Sequence, residues 1–236
     1  MDWISAWNQL YYFNCLKLVD DVYKIPTTKT EGFYKEKGSK FHSYLYPVQT
    51  EDDVQSALEE IGIEHHKARH ICYAYRLSPK SNVFRMNDDG EPSGTAGKPI
   101  FGQIRSAELH EVFIAVVRYF GGTKLGASGL IRAYKTAAEE TTSLTKVKKK
   151  FDTVSCKISF KYAVMGEIMN HVKSLNLAII EQSFDVNPYI VVELRKAISD
   201  LQINQIKGAI LNRPVDDIQE DTEVEDVQFE ILNLKD

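Results

Sequence analysis

From Thr153 to Tyr162 apolar and polar residues alternate. Val154, Cys156, Ile158 and Phe160 fall on one face, and Ser155, Lys157, Ser159 and Lys161 on the other. A side-chain period of two marks a strand with one buried face. The period then changes. Met165, Ile168, Met169, Val172 and Leu175 recur at helical spacing. Two β-branched runs follow, Leu177–Val186 and Tyr189–Arg195, parted by the turn signal Asn187-Pro188. Ile198–Leu211 is helical again and is stopped by Asn212-Arg213-Pro214, and Val224–Leu232 alternates once more. The order βαββαβ predicts a ferredoxin-like C-terminal domain, a small antiparallel sheet with both helices on one face.

The first half predicts a second α+β unit. Lys40–Val48 reads as a strand. Thr50 stands as an N-cap before a helix over Glu51–Ile61, with Asp53 at the third helical position completing a capping-box pattern. Arg69–Leu77 is strand-like, with Asn82–Met86 as its pairing partner. His110–Tyr119 is the most apolar strand of the chain and predicts a central position, buried on both faces. Ser128–Leu144 predicts a long helix with Leu130, Ile131, Tyr134, Ala137 and Ala138 inward.

Two glycine-rich segments interrupt these patterns, Asn87–Phe101 and Arg118–Tyr134. Glycine lets a backbone take positive φ or approach a ligand closely. The second segment leaves the apolar strand and runs into a helix start, where free N–H groups and the helix dipole favour an anion. Lys98, Arg118, Gly121, Gly122, Lys124, Ser128 and Arg132 are therefore the candidate anion- or nucleic-acid-binding residues. Asp88, Asp89 and Glu91 are candidate acidic partners, either as acid–base or magnesium groups or as ordinary turn residues. The same glycines also read as architecture, with Arg118 paired to one of those three carboxylates. Neither a Walker loop nor a dinucleotide loop fits, because Gly97-Lys98 is followed by Pro99 and the Gly121-Gly122, Gly126, Gly129 spacing is wrong. His66 and His70 lie four apart beside His65, but no H-E-x-x-H accompanies them, so no metal site is expected. Cys72, mid-strand, reads as a buried inert thiol. No catalytic set and no cofactor motif is found.

Charge sharpens this picture. The chain of 236 residues has a formal net charge of −4, which excludes nucleic-acid coating by bulk charge. Between His65 and Tyr134, however, ten Lys and Arg face five acids, a local +5, whereas Leu211–Asp236 carries −7. The basic run Lys146–Lys150 separates the two halves and predicts domains over 20–146 and 151–236. Cys15, Cys72 and Cys156 are single and far apart, so neither a disulfide framework nor a zinc pair is indicated. No apolar run approaches the ~20 residues that span a bilayer, and no secretory signal stands at the start. A cytoplasmic location without a membrane partner is expected. Residues 1–19, aromatic-rich with only Asp2 and Lys17 charged, read either as an extra docking helix or as an overextended reading frame.

The segments CYAYRL at 72–77, DDGEPSGTAGKP at 88–99 and VRYFGGTKLGASGLIRAY at 117–134 resemble the IMPACT family in its bacterial, YigZ-type two-domain form. The resemblance implies an N-terminal domain similar to the second domain of ribosomal protein S5, followed by the ferredoxin-like one. Eukaryotic members regulate translation, competing for the activator of a starvation-responsive initiation-factor kinase through an extra N-terminal domain that is not found here. Two departures stand out. Gly126-Ala127-Ser128-Gly129-Leu130 replaces the usual Gly-Thr-Gly-Gly-Leu, which makes Ser128 an N-cap candidate, and Ile71 replaces an Asn between His70 and Cys72. The expected function is a non-catalytic, ribosome- or RNA-associated regulator of translation, active in stress, whose partner is the ribosome, RNA or a translation-associated protein. Two alternatives remain: an enzyme on a small phosphorylated substrate, and a protein-interaction adaptor without an anion site. The adaptor predicts that Arg118 and Arg132 are engaged in internal ion pairs.

Overall fold

A computed structural model describes residues 21–219 and 221–232, so the aromatic segment 1–19 lies outside the described residues. The fold is α+β and divides into two compact units, Val22–Lys150 and a second from Phe151 onward that also takes in Asp21.

In the first unit, β1 (Val22–Pro26), β2 (Thr30–Glu36) and β3 (Ser39–Pro47) precede α1 (Glu51–Glu64). Then come β4 (His70–Arg76), β5 (Phe84–Asn87), α2 (Gly97–Ser106), β6 (Val112–Tyr119), α3 (Gly126–Leu144) and β7 (Val147–Phe151). Five strands form one antiparallel sheet in the order β2-β3-β6-β4-β5. β6 is central, and its apolar run is buried on both faces, as its sequence demands. Its alternate residues serve two cores. Ile114 and Val116 join Phe41, Cys72, Ile100, Ile104, Leu130 and Tyr134 under α2 and α3. Phe113, Ala115 and Val117 join Tyr44, Val54, Ile61 and Tyr75 under α1. α1 begins where a local signal places it. Thr50 Oγ1 accepts from Asp53 N at 3.1 Å, and Asp53 Oδ2 accepts from Thr50 N at 2.9 Å.

Several features differ from the sequence pattern. α2 arises inside what reads as a loop, and β1 and β2 carry no strong pattern of their own. The basic run 146–150 is largely strand, because β7 pairs with β1. α3 starts at Gly126, so Ser128 sits inside the first turn rather than at its cap. Ile131 is 43% exposed, on the solvent side of α3.

In the second unit, β8 (Thr153–Phe160), α4 (Met165–Ser174), β9 (Ile179–Ser183), β10 (Tyr189–Arg195), α5 (Ser199–Ile210) and β11 (Val227–Leu232) follow in turn. The sheet is antiparallel in the order β11-β8-β10-β9. Cys156, Ile158 and Phe160 of β8 meet Ile168 and Val172 of α4 and Ile206 of α5 in its core. A buried pair adds a charged anchor, with Arg195 Nε and Nη2 donating to the two Asp21 carboxylate oxygens at 2.7 and 2.5 Å. Among the described residues, no helix is long and apolar enough to cross a membrane.

Candidate functional site

The first glycine-rich segment folds around its own acids. Asp88 Oδ2 accepts from Gly94 N at 2.8 Å, and Oδ1 accepts from Ala96 N and Gly97 N at 2.9 Å each. Asp88 thereby caps α2, whose own N-cap residue, Ala96, has no side chain able to do so. Burial pushes the Asp88 carboxyl up, but the three N–H bonds outweigh it and hold the group below its ordinary value. Asp89 Oδ2 accepts from Ile71 N at 2.6 Å, and its carbonyl accepts from His70 Nδ1 at 2.6 Å, which ties the loop to β4. Glu91 is buried and accepts from Arg118 Nη1 at 2.6 Å and from the Tyr134 hydroxyl at 2.9 Å. The Cys72 thiol lies 3.0 Å from the Asp88 carbonyl and 3.3 Å from the Tyr134 oxygen. Burial pushes that thiol up to about 12, so it is no nucleophile at neutral pH.

The second segment is anchored as well. Arg118, at the end of β6, is buried with its guanidinium 5.7 Å from the ring centres of both Phe41 and Phe120. Arg132 is paired with Glu36 at the end of β2. Gly121 lies on the β2–β3 turn, where a Cβ would sit 1.9 Å from Gly38 C and 2.1 Å from Ser39 N, so only glycine fits. Its N–H donates to Ser39 Oγ at 3.2 Å. Gly122 has φ +86° and meets no neighbour. Lys98, Lys124 and Ser128 are exposed, and neither lysine has an ion pair among the described residues.

The expected site therefore comes together in part. Arg118 belongs to a buried junction with Glu91, Gly121 packs on Gly38 and Ser39 of the β2–β3 turn, and Arg132 is held by Glu36. The hollow that Arg118 does line, of about 410 Å³, is shared with Lys67, Arg69, His70, Tyr119 and Phe120. A second hollow of about 440 Å³ is lined by Gly38, Lys40, His42, His65, Tyr119 and Phe120. His65 underlies it, with Nε2 2.5 Å from the Tyr44 hydroxyl and Nδ1 2.9 Å from the Tyr119 hydroxyl. Burial, and then the neighbouring His65, lowers the His42 imidazole below its ordinary value, so it is neutral at pH 7. Sequence reasoning missed Lys40, His42, Lys67, Arg69, Tyr119 and Phe120 as members of a site. The signal was there in the run Lys67-Ala68-Arg69-His70, which is basic as well as histidine-rich.

The arrangement is a β-sheet end crossed by a glycine-rich strand-to-helix loop and lined by cations and aromatics. Residues 37–142 match the family model described as the Impact N-terminal domain. The IMPACT family member YvyE of Bacillus subtilis is 36% identical over 150 residues, covering 63% of this chain and 69% of that protein. An IMPACT family member of Haemophilus influenzae is 29% identical over 172 residues, covering 72% of this chain and 84% of that protein. This chain belongs to the IMPACT family. A solved structure described only as that of a hypothetical protein superposes with a TM-score of 0.67 at 22% identity, over 92% of this chain and all of that one, a likeness of fold.

Proposed function

We propose that this protein is a cytoplasmic, ribosome- or RNA-associated regulator of translation that binds rather than catalyses. One observation carries the reading. The loop carboxylates Asp88 and Glu91 are engaged by backbone N–H groups and by Arg118, while Lys40, Lys67 and Arg69 stand exposed around open aromatic hollows. Phosphate contact by such cations is the sequence-independent part of nucleic-acid binding. An enzyme that used Glu91 as its acid–base or metal group would need that carboxylate open to substrate, and it is buried against Arg118 and Tyr134. The role that the family resemblance implies for eukaryotic members agrees with the proposal. For the finer fold, the βαββαβ order with strands arranged fourth-first-third-second supports a ferredoxin-like second domain over 151–236. The likeness of the domain over 20–146 to the second domain of ribosomal protein S5 is a proposal of the same kind.

The test is co-sedimentation of the purified chain with ribosomes across a salt series. Wild type is compared with Lys40→Ala/Lys67→Ala/Arg69→Ala and with Lys124→Ala/Arg132→Ala. Binding that falls steeply with salt, and further in the first variant, is expected. Absence of sedimentation at the lowest salt would sink the proposal. The adaptor reading has one observation in its favour, the internal pairs Arg118–Glu91 and Arg132–Glu36. It expects protein partners and binding indifferent to these substitutions.

A further inference from the structure

We propose that the face of the first sheet that carries Phe33, His42 and Tyr119, together with Phe120 at its rim, is a stacking platform for single-stranded RNA. The inference deepens the RNA-associated reading above and rests on it.

Strand register puts the platform together. Phe33 pairs with His42, Lys35 with Lys40, and Lys40 with Tyr119. Because side chains alternate across a sheet, Phe33, Lys35, Lys40, His42 and Tyr119 share the face that carries Tyr44 and α1. α1 ends at Glu64 over Tyr44, and its C-cap His65 reaches His42 and Tyr119. Beyond that point Phe33, Lys35 and Lys40 are exposed on this face. Phe33 is 52% exposed and Phe120 58% exposed, large apolar rings left in water. Phe33 continues into a row of rings. Phe33 lies 5.0 Å from His42, and His42 lies 5.8 Å from Tyr119.

Cations predominate around these rings. Lys35, Lys40, Lys67 and Arg69 are exposed, and none has an ion pair among the described residues. The nearest acids on this side are engaged, Glu31 with Lys29 at 3.3 Å and Glu64 with the Tyr44 hydroxyl at 3.1 Å. Aromatic faces interleaved with free cations match bases interleaved with phosphates. A duplex has its bases already stacked and offers those rings nothing, whereas an acidic peptide offers charge without flat rings. The platform is also held in place, since His65 fixes Tyr119 from below. A base stacked there meets a surface that needs no ordering on binding.

The test is fluorescence anisotropy of the full chain with a labelled 12-nucleotide oligouridylate, set against a duplex RNA of equal length and against polyglutamate. Phe33→Ala, Phe120→Ala and Lys67→Ala/Arg69→Ala are the variants. All four residues are exposed, and thermal melting checks that each variant is folded. Salt-steep binding that prefers the single strand is expected. Each aromatic substitution should weaken it roughly five- to a hundredfold with an unchanged salt slope. The lysine–arginine variant should instead reduce the logarithmic slope by about 1.4. Binding unchanged in both aromatic variants, preference for the duplex, or equal binding of polyglutamate would overturn the platform. Ribosome sedimentation of the same variants separates the two levels. If Phe33→Ala and Phe120→Ala both sediment as wild type, the platform fails and the translational reading stands; if wild type itself does not sediment, both fall.

Discussion

Asp88 shows how much one side chain can carry. Its two oxygens accept three backbone N–H groups and so close the glycine-rich loop onto the start of α2. Loss of a helix-capping acceptor costs about 0.5–2 kcal/mol, and buried N–H groups left without partners add to that. Asp88→Ala is therefore expected to lower the urea midpoint of the protein at pH 7 by the equivalent of about 1–3 kcal/mol. The same bonds set a pH dependence. The folded carboxyl is held below its ordinary value, so the unfolded chain binds the proton more readily. Stability from this group is complete above the unfolded value of about 4 and is lost as pH falls through the depressed folded one. Urea titrations at pH 7 and pH 3 should show a shallower acid loss in Asp88→Ala than in wild type, and equal losses would refute the assignment. The Asp-Asp-Gly motif was visible as turn chemistry in the sequence. That its first Asp serves residues six to nine positions on was not, because nothing local marks the acceptor of a distant N–H.

At the scale of elements, legibility followed the range of the signal. α1 was readable because its capping box spans four residues and its apolar spacing is regular. Thr50→Ala removes one half of that box and is expected to cost about 1 kcal/mol, read as a shift in denaturant midpoint without a change in slope. A substitution without effect would mean that tertiary packing alone sets this terminus. β6 was readable because a strand covered on both faces must be apolar throughout. α2 was not, because its cap comes from Asp88, outside the helix and beyond the intervening turn. β2 was missed because half of its residues face water and Gly32 breaks the alternation. The basic run became β7 because β1 offered it a ladder, and pairing of strands about 120 residues apart leaves no local trace.

For the whole molecule, the decisive junction joins distant parts of the chain. Glu91 from the loop, Arg118 from β6 and Tyr134 from α3 meet in one buried cluster. Breaking a buried pair on one side strands the other charge, at about 3–5 kcal/mol. Glu91→Ala is thus expected to destabilise the protein by that order in chemical denaturation, well beyond Thr50→Ala. A loss below about 1 kcal/mol would show that water reaches Arg118. The sequence by itself determined the α+β class, the main strands and helices, the family, and the concentration of cations and glycines in the first half. Hydrophobic period, capping and turn chemistry are local, and local rules suffice for those. Only the tertiary structure decided which cations are free. Arg118 and Arg132, prominent in the motif, are taken by Glu91 and Glu36, while Lys40, Lys67 and Arg69, from segments without a motif, stay exposed beside Tyr119 and Phe120. Which charge finds a partner depends on which strands lie side by side, and strand order is fixed by burial summed over the whole sheet.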